Sequence, residues 1–246
     1  MIKFFRRIRK KLLDEGDLKK YLIYAIGEIF LVMVGILLAL QVNNWNEDKK
    51  AELRGSSFLV ELKKNIESDI AFLELEDSIR GMHEFNSEKA LSKFYQAKNF
   101  QDLLEVDSLF TYELGDLKMS RTVYDEMLNT GSIYTLKNDI LKKKIADYYT
   151  AIESIEYIIK EIDATSTELS DNHASRQLIL ISRSNGVFTN KIKDTWIGDP
   201  NHPEYLALHQ FYIFTQTNTN ITRRRFYKYI LYEGKELLKE IEKELN

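Results

Sequence analysis

The chain has 246 residues with 10 glycines, 2 prolines, no cysteine and a formal net charge of −3. That length allows one helical domain with its own core beside a membrane segment. Scarce turn residues exclude a β-sandwich or barrel, and the lack of thiols excludes disulfides, thiol catalysis and cysteine metal sites.

Charge is unevenly distributed. Residues 1–20 hold eight Lys/Arg (Lys3, Arg6, Arg7, Arg9, Lys10, Lys11, Lys19, Lys20) against three acids. Beyond residue 42 the chain carries 27 basic and 34 acidic side chains. An acidic domain lacks the cationic surface that phosphate binding needs, so nucleic acid is not an expected partner.

Residues 21–42 read YLIYAIGEIFLVMVGILLALQV, with Glu28 and Gln41 the strongly polar members. Twenty-two helical residues span about 33 Å, matching a hydrocarbon core of about 30 Å. Tyr21 and Tyr24 at one end and Trp45 at the other suit the two interfaces. The basic tail predicts a cytoplasmic N-terminus and a C-terminal domain outside the inner membrane, hence periplasmic. A cleaved signal peptide is the competing reading; the apolar run is longer than its usual core and no A-x-A site follows. Gly27, Leu31, Gly35 and Ala39 fall at four-residue steps beside Glu28 and form a candidate helix–helix interface. There Glu28 either hydrogen-bonds across to a partner helix or snorkels to the headgroups; a proton relay lacks a second ionisable group.

The run Tyr24-Ala-Ile-Gly-Glu28, Leu31-Val32, Gly35-Ile36-Leu37, Ala39-Leu40-Gln41 and Asn43-Asn44-Trp45-Asn46-Glu47 resembles the start of an uncharacterised family. Its members are single-pass membrane proteins of Bacteroidota, filed as a domain of unknown function. Tyr124-Asp125-Glu126-Met127, Gly131, Ile133, Asn138, Leu141 and Tyr148-Tyr149 extend the similarity, although Thr130 stands where the family usually has Ser. The resemblance implies an inner-membrane anchor with a periplasmic helical domain, and it brings no activity or catalytic residue.

Past the anchor, Leu59, Leu62, Ile66, Ile70 and Leu73 make an apolar stripe at helical spacing. The stretch Glu84–Gln96 reads as a second helix, and residues 97–119 are ambiguous. Thr122–Asn129 reads as a short helix ended by Gly131, and Asn138 as the N-cap of the next one. There Leu141, Ile145, Tyr148, Ile152, Ile155, Ile159 and Ile162 alternate in steps of four and three, a seam of three heptads. A long core helix of a bundle and an intermolecular coiled coil both fit it. The register then turns polar through Ser166, His173 and Arg176. Gly198 to Pro203 is an emphatic turn, with Pro203 placed for the first turn of a closing helix. That helix contains a polar stretch, Thr215 to Thr222, followed by Arg223-Arg224-Arg225. If the two long helices are antiparallel, the polar stretches meet in one layer, with His173, Arg176, Asn220 and Arg224 as its candidate ligand-binding residues.

Chemical signatures are few. Asp199, His202, Glu204 and His209 are metal-ligand types, but His202 lies in the proline turn and a capped turn is the favoured reading. There is no H-E-x-x-H, G-x-S-x-G, P-loop or Rossmann fingerprint, and carboxylate pairs such as Glu153/Glu156 are ordinary on helix surfaces. The expectation is therefore an all-α, single-pass membrane protein with no catalytic residue, metal or cofactor. Its partners are the bilayer and either a second copy or another membrane protein, reached through the transmembrane and long helices. Its role is a scaffold, accessory subunit or sensor input. A small-ligand sensor using the polar layer and a metal-dependent hydrolase are the rival readings.

Overall fold

The computed structural model describes residues 18–171 and 194–245, and every regular element among them is helical. α1 spans Leu18–Phe94, α2 Phe100–Leu109, α3 Thr122–Asn129, α4 Asp139–Asp171, α5 Pro203–Phe214 and α6 Arg223–Leu245. A π-helical stretch, Thr215–Thr222, joins α5 to α6. The chain forms two compact units, Met1–Gly55 and Ser56–Asn246.

In the first unit the described part of α1 carries an apolar stretch of mean hydropathy 2.5, long and apolar enough to cross a membrane. None of that stretch is buried. Leu22, Ile23, Ile26, Ile29, Phe30 and Leu31 are all exposed, so the apolar surface runs around the whole helix rather than along one stripe. A helix apolar on every side needs an apolar surround, which is what a bilayer supplies. Where the apolar run ends, the Lys49 ammonium sits 5.6 Å over the Trp45 ring and Lys50 pairs with Glu47 at 3.0 Å.

In the second unit the apolar side chains form two clusters. The first joins Leu59, Leu62, Ile66 and Leu73 of α1 to Tyr124 and Met127 of α3, to the α4 seam from Leu141 to Ile159, and to Tyr227, Ile230, Leu237 and Ile241 of α6. All seven seam residues are buried within the single chain. The second joins Ala90, Leu91 and Phe94 of α1 to Phe100, Leu103 and Val106 of α2, and to Trp196, Leu208, Phe211 and Tyr212.

Helix ends follow local chemistry. Asn138 Oδ1 accepts from the Leu141 N–H at 3.1 Å, the expected N-cap of α4. Gly131 sits at φ 69 just past α3, a left-handed C-terminal residue that glycine adopts at least cost. Pro203 opens α5, and His202 is its cap: Nδ1 accepts the Glu204 N–H at 3.2 Å. Asn99 and Asp102 form a reciprocal capping box that starts α2 within the ambiguous stretch.

One expectation is corrected. Glu84–Gln96 is not a separate helix, because α1 runs unbroken from Leu18 to Phe94. Between Leu73 and Ala90 its inner face carries Glu76, Arg80, His83 and Ser87, so the apolar period lapses while the helix continues.

Candidate functional site

Three segments of the second unit change character at matching places. Along α1, the polar inner-face residues Glu76, Arg80, His83 and Ser87 separate Leu73 of the first cluster from Ala90 of the second. Along α4, Asp163 and Ser166 follow Ile159, and Leu169 then packs on the second cluster. Along the C-terminal segment, Thr215, Thr219, Asn220 and Arg223, all fully buried, lie between Tyr212 and Tyr227. Each buried polar group needs a partner, so segments that turn polar inside a core pair most stably with one another.

The hydrogen bonds show that pairing. Ser166 and Thr219 hydroxyls meet at 2.8 Å. Asn220 Nδ2 donates to Ser87 Oγ at 3.0 Å, to Thr111 O at 3.1 Å and to His83 O at 3.3 Å. Arg223 Nη1 donates to Asp163 Oδ1 and to Glu113 O, each at 2.9 Å, and Nη2 donates to Gly115 O. Arg224 reaches the other way, with Nε on Asp77 at 2.7 Å and Nη1 on Glu84 at 2.8 Å. It lies across Gly81, where an added Cβ would come within 3.0 Å of the guanidinium. Those two carboxylates hold the Arg224 proton more firmly than in water, Glu84 contributing more than Asp77. Arg80, 3% exposed, pairs with Glu76 at 2.9 Å and lies 4.7 Å from the Tyr227 ring centroid. Burial, helped by the neighbouring Arg80 charge, lowers the His83 pKa below its ordinary value and favours neutral imidazole.

The π-helical backbone coincides with this layer. A π turn offsets the usual pairing by one residue, and here local side chains bond the carbonyls. Thr222 Oγ1 donates to Thr217 O at 2.8 Å and Asn218 Nδ2 to Phe214 O at 3.2 Å.

Residues 110–121, which lie between α2 and α3, are tethered to the layer. Thr111 O and the Glu113 and Gly115 carbonyls accept from Asn220 and Arg223, and the Gly115 N–H donates to Asp163 Oδ2 at 2.7 Å. Gly115 has φ 139, a conformation that favours glycine.

The candidate residues divide accordingly. Asn220 and Arg224 converge on residues 83–87 of α1, while His173 and Arg176 lie outside the described residues. Arg223 is buried, Arg224 is half-buried and Arg225 is exposed, so the triplet fans around the helix instead of facing one ligand. Leu31 of the anchor stripe is 69% exposed, and a Cβ added at Gly27 or Gly35 would meet nothing within 4 Å. Asp199, His202, Glu204 and His209 do not converge: Asp199 caps Asn201, His202 caps α5, and His209 Nε2 lies 3.1 Å from the Tyr95 hydroxyl. Among the described residues no group of three or more His, Asp or Glu side chains is placed to hold a metal.

The layer's partners Ser87, Thr111, Glu113 and Asp163 were not among the residues that sequence reasoning singled out. For Ser87 the signal was available in the lapse of apolar period after Leu73, on the face that resumes at Ala90.

Neither a curated protein nor a solved structure matches the chain. A model of the family of unknown function DUF6090 matches residues 28–193, more than half of the sequence, from within the apolar segment through α4. The chain belongs to this family of unknown function.

Proposed function

We propose that the chain is a membrane-anchored helical interaction module. Residues 1–20 are cytoplasmic, the apolar segment of α1 spans the inner membrane, and the remainder is a periplasmic helical bundle. It acts as a scaffold, accessory subunit or sensor input rather than as a catalyst. The observation that carries this reading is the apolar stretch of α1, exposed on all sides and preceded by a strongly basic tail. The layer inside the domain supports a structural role, because Arg223, Arg224 and Asn220 bond side chains and carbonyls of their own chain.

Topology tests the first half of the reading. A C-terminal alkaline phosphatase fusion is expected to be active, and a fluorescent cytoplasmic reporter at the same point dark. The reverse pair of signals would overturn the orientation.

Association tests the second half. Gly27, Leu31, Gly35 and Ala39, with Glu28 beside them, form the surface proposed to meet a second copy or another membrane protein. Gly35→Leu fills the close-approach groove and should lower crosslinking yield in native membranes at least several-fold, with protein level unchanged. An unaltered yield would remove this stripe as the contact.

A further inference from the structure

Asp69 lies on the inner face of α1 and is 5% exposed. Its single protein hydrogen bond given by the geometry is a long one, from the Ser120 N–H to Oδ1 at 3.4 Å; Oδ2 has none among the described residues. The phenols of Tyr148 and Tyr149, both buried on α4, feel the Asp69 charge, and their own hydroxyls are likewise without a hydrogen-bond partner among the described residues. On α6, Gly234 lies against Tyr148, and its missing Cβ leaves room for that ring. On α3, Tyr124 stacks on Tyr149 at 4.2 Å, while Asp125 of that helix and Arg121 at the end of residues 110–121 act on Tyr149 rather than on Asp69. Among the described residues no cation contributes to Asp69 itself. Ser120 closes residues 110–121, the strap whose other end is tethered to Asn220, Arg223 and Asp163. Asn65 Nδ2 reaches Ser120 Oγ at 3.4 Å, a second weak tie at the same end.

We propose that Asp69 is a proton-operated latch for this strap: protonated, it lets the Ser120 end close over α1 and α4, and ionised, it favours an open strap that admits water. The physical reason is an imbalance. A carboxylate removed from water costs several kcal/mol unless charge or good hydrogen bonds replace the lost hydration. One long N–H bond and two phenols without a counter-charge do not replace it. Lifting the strap restores hydration at the cost of the Ser120 contact and the seating of Leu117, which is 5% exposed. Asp163 and Arg223 hold the far end in either state, so the opening is confined to one side.

Burial pushes the Asp69 carboxyl up from 3.8 to about 6, opposed by the Ser120 bond. A raised folded-state value means that the stabilising contribution is complete below 3.8 and is lost as pH rises through about 6.

The test is amide hydrogen exchange of the full chain in lipid nanodiscs, read at residues 116–121 from pH 4 to pH 8. Protection there, normalised for intrinsic exchange, should fall by up to about a hundredfold in the wild type. In Asp69→Asn it should stay flat. Protection that is constant or rises with pH in the wild type, or falls equally in Asp69→Asn, overturns the latch. If Asp69→Asn does not fold, the carboxyl carbon resonance of wild-type Asp69 decides: a midpoint near 6 supports the latch, and one near 3.8 removes it.

Discussion

Ile152→Asp is expected to unfold the domain, at a cost of about 4 kcal/mol or more. Ile152 is 1% exposed and sits mid-seam in the first apolar cluster, to which α1 and α6 also contribute. A carboxylate there loses its hydration and meets only apolar neighbours, while the β-branched side chain it replaces leaves a void. A modest domain holds about 5–15 kcal/mol of total stability, so one such change removes a large share of it. Glu153→Gln is the control one residue along. Its carboxylate is 69% exposed and pairs with Arg121 at 3.2 Å, a contact worth under about 1 kcal/mol. Denaturant titration of the full chain in micelles, followed by circular dichroism, measures both. Because Ile152 is already buried within one chain, the loss should not depend on protein concentration. A variant that stays folded but loses only its oligomers would instead place the seam between chains. Equal stability of the two variants would show that the register has been misassigned.

The same seam shows why part of the fold was legible in the sequence. Seven apolar residues in steps of three and four leave one face to bury, and Asn138, Gly131 and Pro203 punctuate the helices by local chemistry alone. α1 was harder to follow. Its inner face changes from Leu73 to Glu76, Arg80, His83 and Ser87, and a reading based on apolar period sees a break there. The helix continues because its polar side chains find partners on α6 and the π-helical stretch, which are remote in sequence. Residues 110–121 are opaque for a related reason. Their backbone is bonded by Asn220, Arg223, Asp163 and Asp69, so no local window contains the cause of their conformation. The polar character of Thr215–Thr222 was visible, and its meeting with the polar end of the long helix was expected only on the condition that the two helices run antiparallel. Its π geometry was not, since that depends on which carbonyls the surrounding side chains bond.

Asp163→Ala is the second large effect expected, about 3–5 kcal/mol. It leaves the Arg223 guanidinium, 0% exposed, without its carboxylate at 2.9 Å and removes the acceptor of the Gly115 N–H. The Glu113 and Gly115 carbonyls remain, but neutral acceptors do not balance a buried charge. Arg223→Met should cost less, because Asp163 is 17% exposed and can recover some hydration once its partner is gone. The double variant Arg223→Met/Asp163→Ala removes both charges, so its cost should fall well short of the sum of the single changes, with a coupling energy of about 1–3 kcal/mol. Arg224→Met supplies the comparison from the next residue. That guanidinium is 26% exposed and its partners Asp77 and Glu84 are 28% and 34% exposed, so water screens the pairs and the loss should be about 1 kcal/mol. Breaking the buried Arg223 pair at Asp163 is thus expected to cost several-fold more than breaking the half-exposed Arg224 pairs. If removing Asp163 proves no more costly than removing Arg224, Arg223 has access to water or another anion, and the layer is not the closed polar core described above.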